Sequence, residues 1–136
     1  VMTEIELWQQ QEPQRVRTFK SLDPYYLDVV NQAAAVVGNS SSGIIEVPSL
    51  AVPVLNLGQR QAGRACSEHI CHSPVQVDDI RDALSAALAT KEILSSADNP
   101  YDRGDTGQAI LRLLTEVPLS CHKKFFDLTA SNRADE

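Results

Sequence analysis

The chain has 136 residues, of which 43% are hydrophobic and 22% charged, so it can build one compact domain but not two. Its formal net charge of -6 and its lack of a basic run exclude the positive surface that a nucleic-acid binder or an anionic-membrane binder needs. No segment is apolar over the roughly 18 residues of a membrane span, and the N-terminal residues lack a secretory pattern, which together predict a cytoplasmic protein.

The first third of the chain predicts a helix, a strand and a second helix. Apolar residues at helical spacing indicate a helix that runs to Pro13. The β-branched and aromatic stretch RVRTFKSL predicts a strand that ends near Ser21. Asp23 and Pro24 then predict the N-cap and first turn of a helix whose apolar stripe reaches Ala33.

The middle of the chain predicts three more strands around a short helix. The apolar run AAAVVGN, residues 33–39, is typical of a strand buried on both faces of a parallel sheet. A Ser-rich turn leads into a short helix over residues 44–50. PVLNL at 53–57 and HICHS at 69–73 predict the next strands, with the glycine-containing loop GQRQAGR at 58–64 between them.

The last third predicts two amphipathic helices, one beginning at the acidic pair 78–79 and one centred on 110–117, with the loop NPYDRGDTG between them. Strands that alternate with helices at this spacing predict an α/β fold with a doubly wound parallel sheet. We expect a single domain over residues 1–128 and a polar tail over 129–136.

Three loops of this predicted sheet follow strand ends and carry polar residues. Ser21 follows the first strand, residues 39–43 follow the second and residues 59–61 follow the third. In open α/β sheets, ligands bind outside the carboxyl ends of the strands. The sequence therefore predicts a ligand site where these three loops converge.

The stretch GNSSSGIIE, residues 38–46, is the most informative of these loops. Its turn would direct backbone N–H groups, a helix N-terminus and the hydroxyls of Ser40, Ser41 and Ser42 at one point, which suits a phosphate or diphosphate. Gly43 permits a close backbone approach. The alternative is that the serines only cap the helix. The stretch matches neither the P-loop nor the G-x-G-x-x-G pattern.

Two charged residues extend this predicted site. Glu46 is out of register for a capping box because position 43 is glycine, so its carboxylate is available to accept both hydroxyls of a ribose. Arg60, on the third loop, would neutralise a diphosphate through charge-assisted hydrogen bonds. The alternative for Arg60, as for Arg64 beside it, is a solvated surface side chain.

The remaining chemistry-bearing residues predict no metal site and no cofactor. Cys66, His69, Cys71 and His72 lack the paired loops of structural zinc sites, and neighbouring side chains on a strand point to opposite faces. The odd number of cysteines favours reduced thiols. No histidine has the partner spacing of a catalytic triad, and Tyr26 either contacts a base or packs in the core.

Three segments together resemble a known family. GNSSSGIIEVPSLAVPVLNLGQRQAGR, NPYDRGDTGQAI and KKFFDL are similar, in this order and spacing, to motifs of the UDP-N-acetylglucosamine 2-epimerase family, and NSSSG is similar to its hydrolysing branch. The similarity extends from FKSL to Leu128. The family has two Rossmann-like domains that face a cleft, the GT-B arrangement, and this chain resembles the C-terminal half.

The resemblance implies roles for the candidate residues. Ser40 and Ser41 would hold the diphosphate, Glu46 the ribose hydroxyls and Arg60 the nucleotide side of the cleft, while Ser21 would border the uracil. The residues expected to bind UDP are Ser21, Ser40, Ser41, Ser42, Gly43, Glu46 and Arg60.

The resemblance also implies an activity. The hydrolysing branch converts UDP-N-acetylglucosamine and water to N-acetylmannosamine and UDP, for sialic acid or related nonulosonate sugars. It abstracts the proton at C2 and expels UDP from C1, which gives a glycal to which water adds. Its catalytic carboxylates lie mostly in the N-terminal domain, so we assign no catalytic residue here. We expect this chain alone to be inactive and the full-length enzyme to form a homo-oligomer.

Two alternatives remain open at this point. The chain could be the donor-binding half of a GT-B glycosyltransferase, although KKFFDL and the QRQ loop argue against this class. It could also be a UDP-binding remnant without turnover. Gln59 and the segment RACSEHICHS depart from the family pattern, which bears on fine specificity.

Overall fold

The structure is a computed structural model that describes residues 2–96 and 99–118. It divides the chain into two compact units, Val1–Asp102 and Arg103–Glu136. The first unit contains the sheet and the candidate site. The KKFFDL segment and the predicted polar tail over 129–136 lie outside the described residues.

The sheet has three parallel strands, β1 at Val36–Gly38, β2 at Val54–Leu57 and β3 at Cys71–Ser73, in the order β1-β2-β3. Val37 pairs with Leu55 across the first interface, and Asn56 pairs with His72 across the second. The α/β class with a parallel sheet is thereby confirmed. Because the strands are parallel, their carboxyl ends share one edge.

The described part of the chain contains five α-helices, together with 3-10 turns at Val47–Leu50 and Thr90–Glu92. The helices are α1 at Met2–Gln11, α2 at Tyr26–Asn31, α3 at Ser42–Ile45, α4 at Val77–Ala89 and α5 at Thr106–Glu116. None of the helices that the structure describes is long and apolar enough to cross a membrane.

Helix α3 is shorter than the predicted helix over residues 44–50. Pro48 has no N–H to donate to the carbonyl of Ile44, so an α-helix cannot continue through it. The chain changes instead to the 3-10 turn, which has this proline near its start. Glu46 is consequently the last residue before the turn rather than a residue within the helix.

The predicted strand over RVRTFKSL is wrong. The backbone N–H groups of Arg15 and Val16 both donate to the carbonyl of Glu12, so this segment begins with a turn and joins no described strand. Val16 is buried, but Phe19 is 66% exposed. A β-branched and aromatic composition forms a strand only where packing against neighbours supports it, and this segment has little such packing.

The predicted N-cap of the second helix is also wrong. Asp23 and Pro24 precede α2, and its N-cap position is Tyr25, which makes no side-chain capping bond. The Asp23 carboxylate accepts a hydrogen bond from the Ser21 hydroxyl at 3.1 Å instead. The carboxylate of Asp23 therefore takes part in a local turn and does not cap α2.

The core covers both faces of the central strand. Val54 belongs to a cluster on the side of α2 and α3 whose buried members are Val30, Ile44, Val47, Val52, Val54 and Ile70. Leu55 is also fully buried, and because successive strand residues alternate, it faces the opposite side. Helix α4 contacts β2 and β3 and buries Ala87. This packing leaves the carboxyl ends of the strands open to ligands.

Candidate functional site

Three adjoining cavities lie at the carboxyl ends of the strands. The first, of about 220 Å³, extends beside β1 to Ser40, and the second, of about 440 Å³, lies between Asn39 and Arg60. The third, of about 200 Å³, lies between β2 and β3. Gly38 and Asn39 line the first two, while Gly58 and Gln59 line the last two. We call the three together the strand-end crevice.

The serine turn, residues 39–42, forms one wall of this crevice. Ser40 lines the first cavity, and its hydroxyl accepts a long hydrogen bond of 3.4 Å from the Ser42 N–H. The Ser41 carbonyl accepts the N–H groups of Ile44 and Ile45, which begins α3. A Cβ at Gly43 would lie 3.3 Å from Val54 Cγ1, so glycine lets the turn pack closely against β2.

The hydroxyl of Ser42 is committed to the fold. The Tyr26 hydroxyl lies 2.6 Å from Ser42 Oγ, and both side chains are half-buried. Tyr26 also lines the first cavity. Of the two alternatives for Tyr26, the structure thus supports a packing role that joins α2 to the serine turn, at a position beside the crevice.

Arg60 stands on the opposite wall. It is exposed and lines the second cavity together with Asn39. The neighbouring Gln61 is only 6% exposed, and its Nε2 donates a 2.8 Å hydrogen bond to the Asn39 carbonyl. This bond joins the loop after β2 to the loop after β1. Two of the three predicted loops therefore meet at one site.

Ser21 and Glu46 are not among the residues that line these cavities. The hydroxyl of Ser21 forms a local turn with Asp23, donating to its carboxylate and accepting from its N–H, both at 3.1 Å. Glu46 is exposed at the C-terminal end of α3. The predicted loop at Ser21 therefore does not line the crevice, because the strand that would have placed Ser21 there does not form.

Asn56 is a site residue that the sequence reasoning missed. It lies within β2, is 2% exposed and lines the first and third cavities. Its Nδ2 lies 3.1 Å from His72 Nδ1, while its Oδ1 has no hydrogen-bond partner among the described residues. Burying an unpaired amide oxygen is costly. An amide inside the apolar run PVLNL was the available signal.

The cysteine and histidine segment forms a pair rather than a cluster. Cys66 Sγ lies 3.9 Å from His72 Nε2, and both Cys66 and Cys71 are free thiols. His69 is 3.9 Å from the carboxylate of Glu68. Over residues 2–96 and 99–118, no group of three or more histidine, cysteine, aspartate or glutamate side chains is arranged to hold a metal ion.

A family profile covers most of the chain. Residues 2–115 match the profile described as UDP-N-acetylglucosamine 2-epimerase. The match includes all three strands and every residue of the strand-end crevice. It stops before the KKFFDL segment.

Curated bacterial proteins are similar over about three quarters of the chain. Polysialic acid biosynthesis protein P7 of Escherichia coli is 32% identical over 104 residues, covering 75% of this chain and 27% of that protein. A UDP-N-acetylglucosamine 2-epimerase of Neisseria meningitidis is 32% identical over 110 residues, or 76% and 29%. A hydrolyzing UDP-N,N'-diacetylbacillosamine 2-epimerase of Legionella pneumophila is 37% identical over 105 residues, or 76% and 27%. The chain spans less than a third of the length of these relatives.

Proposed function

Because this chain belongs to the UDP-N-acetylglucosamine 2-epimerase family, we propose that it is the UDP-binding, C-terminal half of a hydrolysing 2-epimerase with a GT-B arrangement. The whole protein would convert UDP-N-acetylglucosamine and water to N-acetylmannosamine and UDP in the cytoplasm, for sialic acid or related nonulosonate sugars. The observation that carries this proposal is the strand-end crevice, in which the serine turn faces a loop with a cationic side chain.

The diphosphate binds between these two walls. Ser40 and Ser41 supply hydroxyl and backbone groups from the serine turn, with Ser42 and Gly43 shaping its backbone. Arg60 supplies the positive charge from the other wall, in a chain whose net charge is -6. Charge-assisted hydrogen bonds from a guanidinium suit a diphosphate. The Gln61 bond to Asn39 supports this assignment because it fixes the spacing of the walls.

The nucleoside extends from the crevice toward Glu46 and Ser21. The Glu46 carboxylate accepts the two ribose hydroxyls, and Ser21 borders the uracil. These two roles rest on the family resemblance of their motifs. The exposure of both side chains leaves them accessible to a ligand.

The reaction needs groups that we assign to another part of the protein. A proton must leave C2 and UDP must leave C1, which requires an acid and a base beside the sugar. The crevice contributes stabilisation of the charge on the departing diphosphate. We therefore expect this chain alone to bind UDP without turnover, and the full-length protein to act as a homo-oligomer with catalytic carboxylates from an N-terminal domain.

Proton NMR with UDP-N-acetylglucosamine tests the proposal on the purified chain. We expect saturation transfer to the uracil and ribose protons and no free N-acetylmannosamine. Appearance of product would contradict the division of roles, since the chain would then carry its own acid and base. Absence of saturation transfer would contradict UDP binding.

A matched pair of arginine variants sharpens this test. Arg60→Gln removes the charge beside the crevice and should reduce the saturation transfer. Arg64→Gln removes a charge from the same exposed loop at a residue outside the crevice lining, and should leave the transfer unchanged. Equal effects of the two variants would indicate general electrostatic attraction rather than a diphosphate site.

A further inference from the structure

The side chain of Asn99 connects two distant parts of the first unit. It is 3% exposed, and its Nδ2 donates hydrogen bonds to the Ile45 carbonyl at 2.9 Å and to Ser49 Oγ at 2.6 Å. Its Oδ1 accepts the N–H of Tyr101 at 3.0 Å. Both polar atoms of the amide are therefore satisfied, and the loop after α4 is attached to the segment around Glu46.

The hydrophobic core anchors that segment on one side, through Ile44 and Val47, while its polar contacts are few. Helix α3 is a single turn, and the Glu46 N–H donates to Ser42 while the Glu46 carbonyl accepts from Ser49. Among the described residues, no hydrogen bond or ion pair is found at the Glu46 carboxylate. The direction of this side chain is thus set by the backbone at residues 45–49. Asn99 bonds that backbone directly at the Ile45 carbonyl and reaches its other end only through the side chain of Ser49.

We propose that Asn99 is a positioning residue for Glu46, which keeps the carboxylate directed at the ribose hydroxyls of the bound nucleotide. This inference rests on the proposed ribose role of Glu46 and adds the residue that makes that role effective. Asn99 contacts the Glu46 segment and not the nucleotide. We expect its effect to be specific to the ribose, because the side-chain hydrogen bonds that shape the serine turn and join it to the Arg60 loop do not involve Asn99.

The physical reason is the sensitivity of paired hydrogen bonds to position. A carboxylate that accepts hydrogen bonds from two vicinal hydroxyls must be positioned to within a fraction of an ångström. Such precision requires a fixed backbone. Without the Asn99 bond to its carbonyl, Ile45 can shift although Val47 stays anchored in the core, and the direction of the neighbouring Glu46 side chain then changes. The ribose bonds weaken, whereas diphosphate binding persists.

The test compares UDP with 2',3'-dideoxy-UDP, which lacks both ribose hydroxyls. Isothermal titration of the purified chain gives the ratio of the two dissociation constants. For the unmodified chain we expect UDP to bind about 10-fold or more tightly than the dideoxy ligand. Glu46→Ala should reduce this ratio to near 1.

Asn99→Ala should also reduce the ratio to near 1 and leave the affinity for dideoxy-UDP unchanged. The double variant with Glu46→Ala should then show no further loss, because both changes remove the same interaction. Asn99→Asp, which keeps the size of the side chain and removes its N–H donors, should behave like Asn99→Ala and serves if the alanine variant does not fold.

Ser49→Ala is the matched control. It removes the second acceptor of Asn99 and leaves the bond to the Ile45 carbonyl, so we expect it to lower stability and retain the ratio. An unchanged ratio in both Asn99 variants overturns the inference, as does an equal loss of affinity for both ligands, which indicates a merely structural role. If Glu46→Ala itself leaves the ratio unchanged, the proposed ribose role of Glu46 fails.

Discussion

The two sides of the proposed nucleotide site are built differently. On the diphosphate side, Arg60 and the serine turn line cavities, and their loops are joined by a buried side chain, Gln61. On the nucleoside side, Ser21 and Glu46 are exposed residues on separate turns. The comparison teaches that the diphosphate side is inseparable from the fold, whereas the nucleoside side can be altered without disturbing the core.

The largest effect is expected on the nucleoside side, where a substitution should weaken UDP binding without lowering the free energy of unfolding. Glu46→Ala should weaken UDP binding by about 1.5 to 3 kcal/mol, because it removes charge-assisted hydrogen bonds to the ribose. Its free energy of unfolding should remain within about 0.5 kcal/mol of the original, as for most exposed positions. Calorimetric titration and urea unfolding measure the two quantities. Loss of stability without loss of affinity would contradict the ribose role.

On the diphosphate side, binding and folding should fall together. Gly43→Val places a branched side chain against Val54, where a Cβ already lies 3.3 Å from Cγ1. We expect a loss of about 1 to 3 kcal/mol in the free energy of unfolding from overpacking. UDP binding should weaken as well.

Gly107→Ala provides the control for the Gly43 variant. A Cβ at Gly107 meets no atom within 4 Å, and this residue lies in the first turn of α5. Alanine should therefore be tolerated without overpacking. Urea unfolding that gave the same loss for both variants would show that close packing at Gly43 is not the cause.

An intermediate effect is expected for the connection between the walls. Gln61→Leu keeps most of the side-chain volume and removes the hydrogen bond to the Asn39 carbonyl. We expect a loss of about 1 kcal/mol in the free energy of unfolding and weaker UDP binding. Gln14→Leu, at an exposed residue outside the crevice lining, serves as the control. Unchanged UDP affinity in Gln61→Leu would show that the spacing of the walls does not matter for binding.

The smallest effect concerns Tyr26. Tyr26→Phe removes the hydroxyl that lies 2.6 Å from Ser42 Oγ and should cost about 0.5 kcal/mol of stability, the low end for a hydrogen bond, because both side chains are only half-buried. Tyr25→Phe, at a residue that is 65% exposed, should change stability less. Thermal unfolding compares the two. Equal stabilities would indicate that Ser42 finds another partner.

Much of the fold could be predicted because it follows from local patterns. The apolar runs around Val37 and Leu55 became neighbouring strands of a parallel sheet, and the amphipathic patterns after Asp78 and Gly107 became α4 and α5. The strand prediction for RVRTFKSL was wrong because composition indicates only strand propensity. Propensity does not show whether the segment has neighbours to pack against.

The candidate site was predictable to the same extent. The serine turn and the Arg60 loop follow the apolar runs that became β1 and β2, of which β2 is the buried one. Parallel strands bring their carboxyl ends to one edge regardless of other detail. The roles of the individual residues in UDP binding, the cytoplasmic location and the homo-oligomer remain predictions. The helix predicted over residues 44–50 contains Glu46, but Pro48 prevents that helix from continuing, so Glu46 lies at the C-terminal end of α3.

The sequence by itself determined the order of the helices and of the three strands that form, the glycine and serine content of the turn after β1 and the family to which the chain belongs. Only the tertiary structure decided which buried amides connect these parts. The side chain of Gln61 donates a hydrogen bond to a carbonyl 22 residues away in the sequence, and that of Asn99 donates to a carbonyl 54 residues away. Local periodicity carries no information about such partners, because a buried amide donates to whichever carbonyl the completed packing brings within reach.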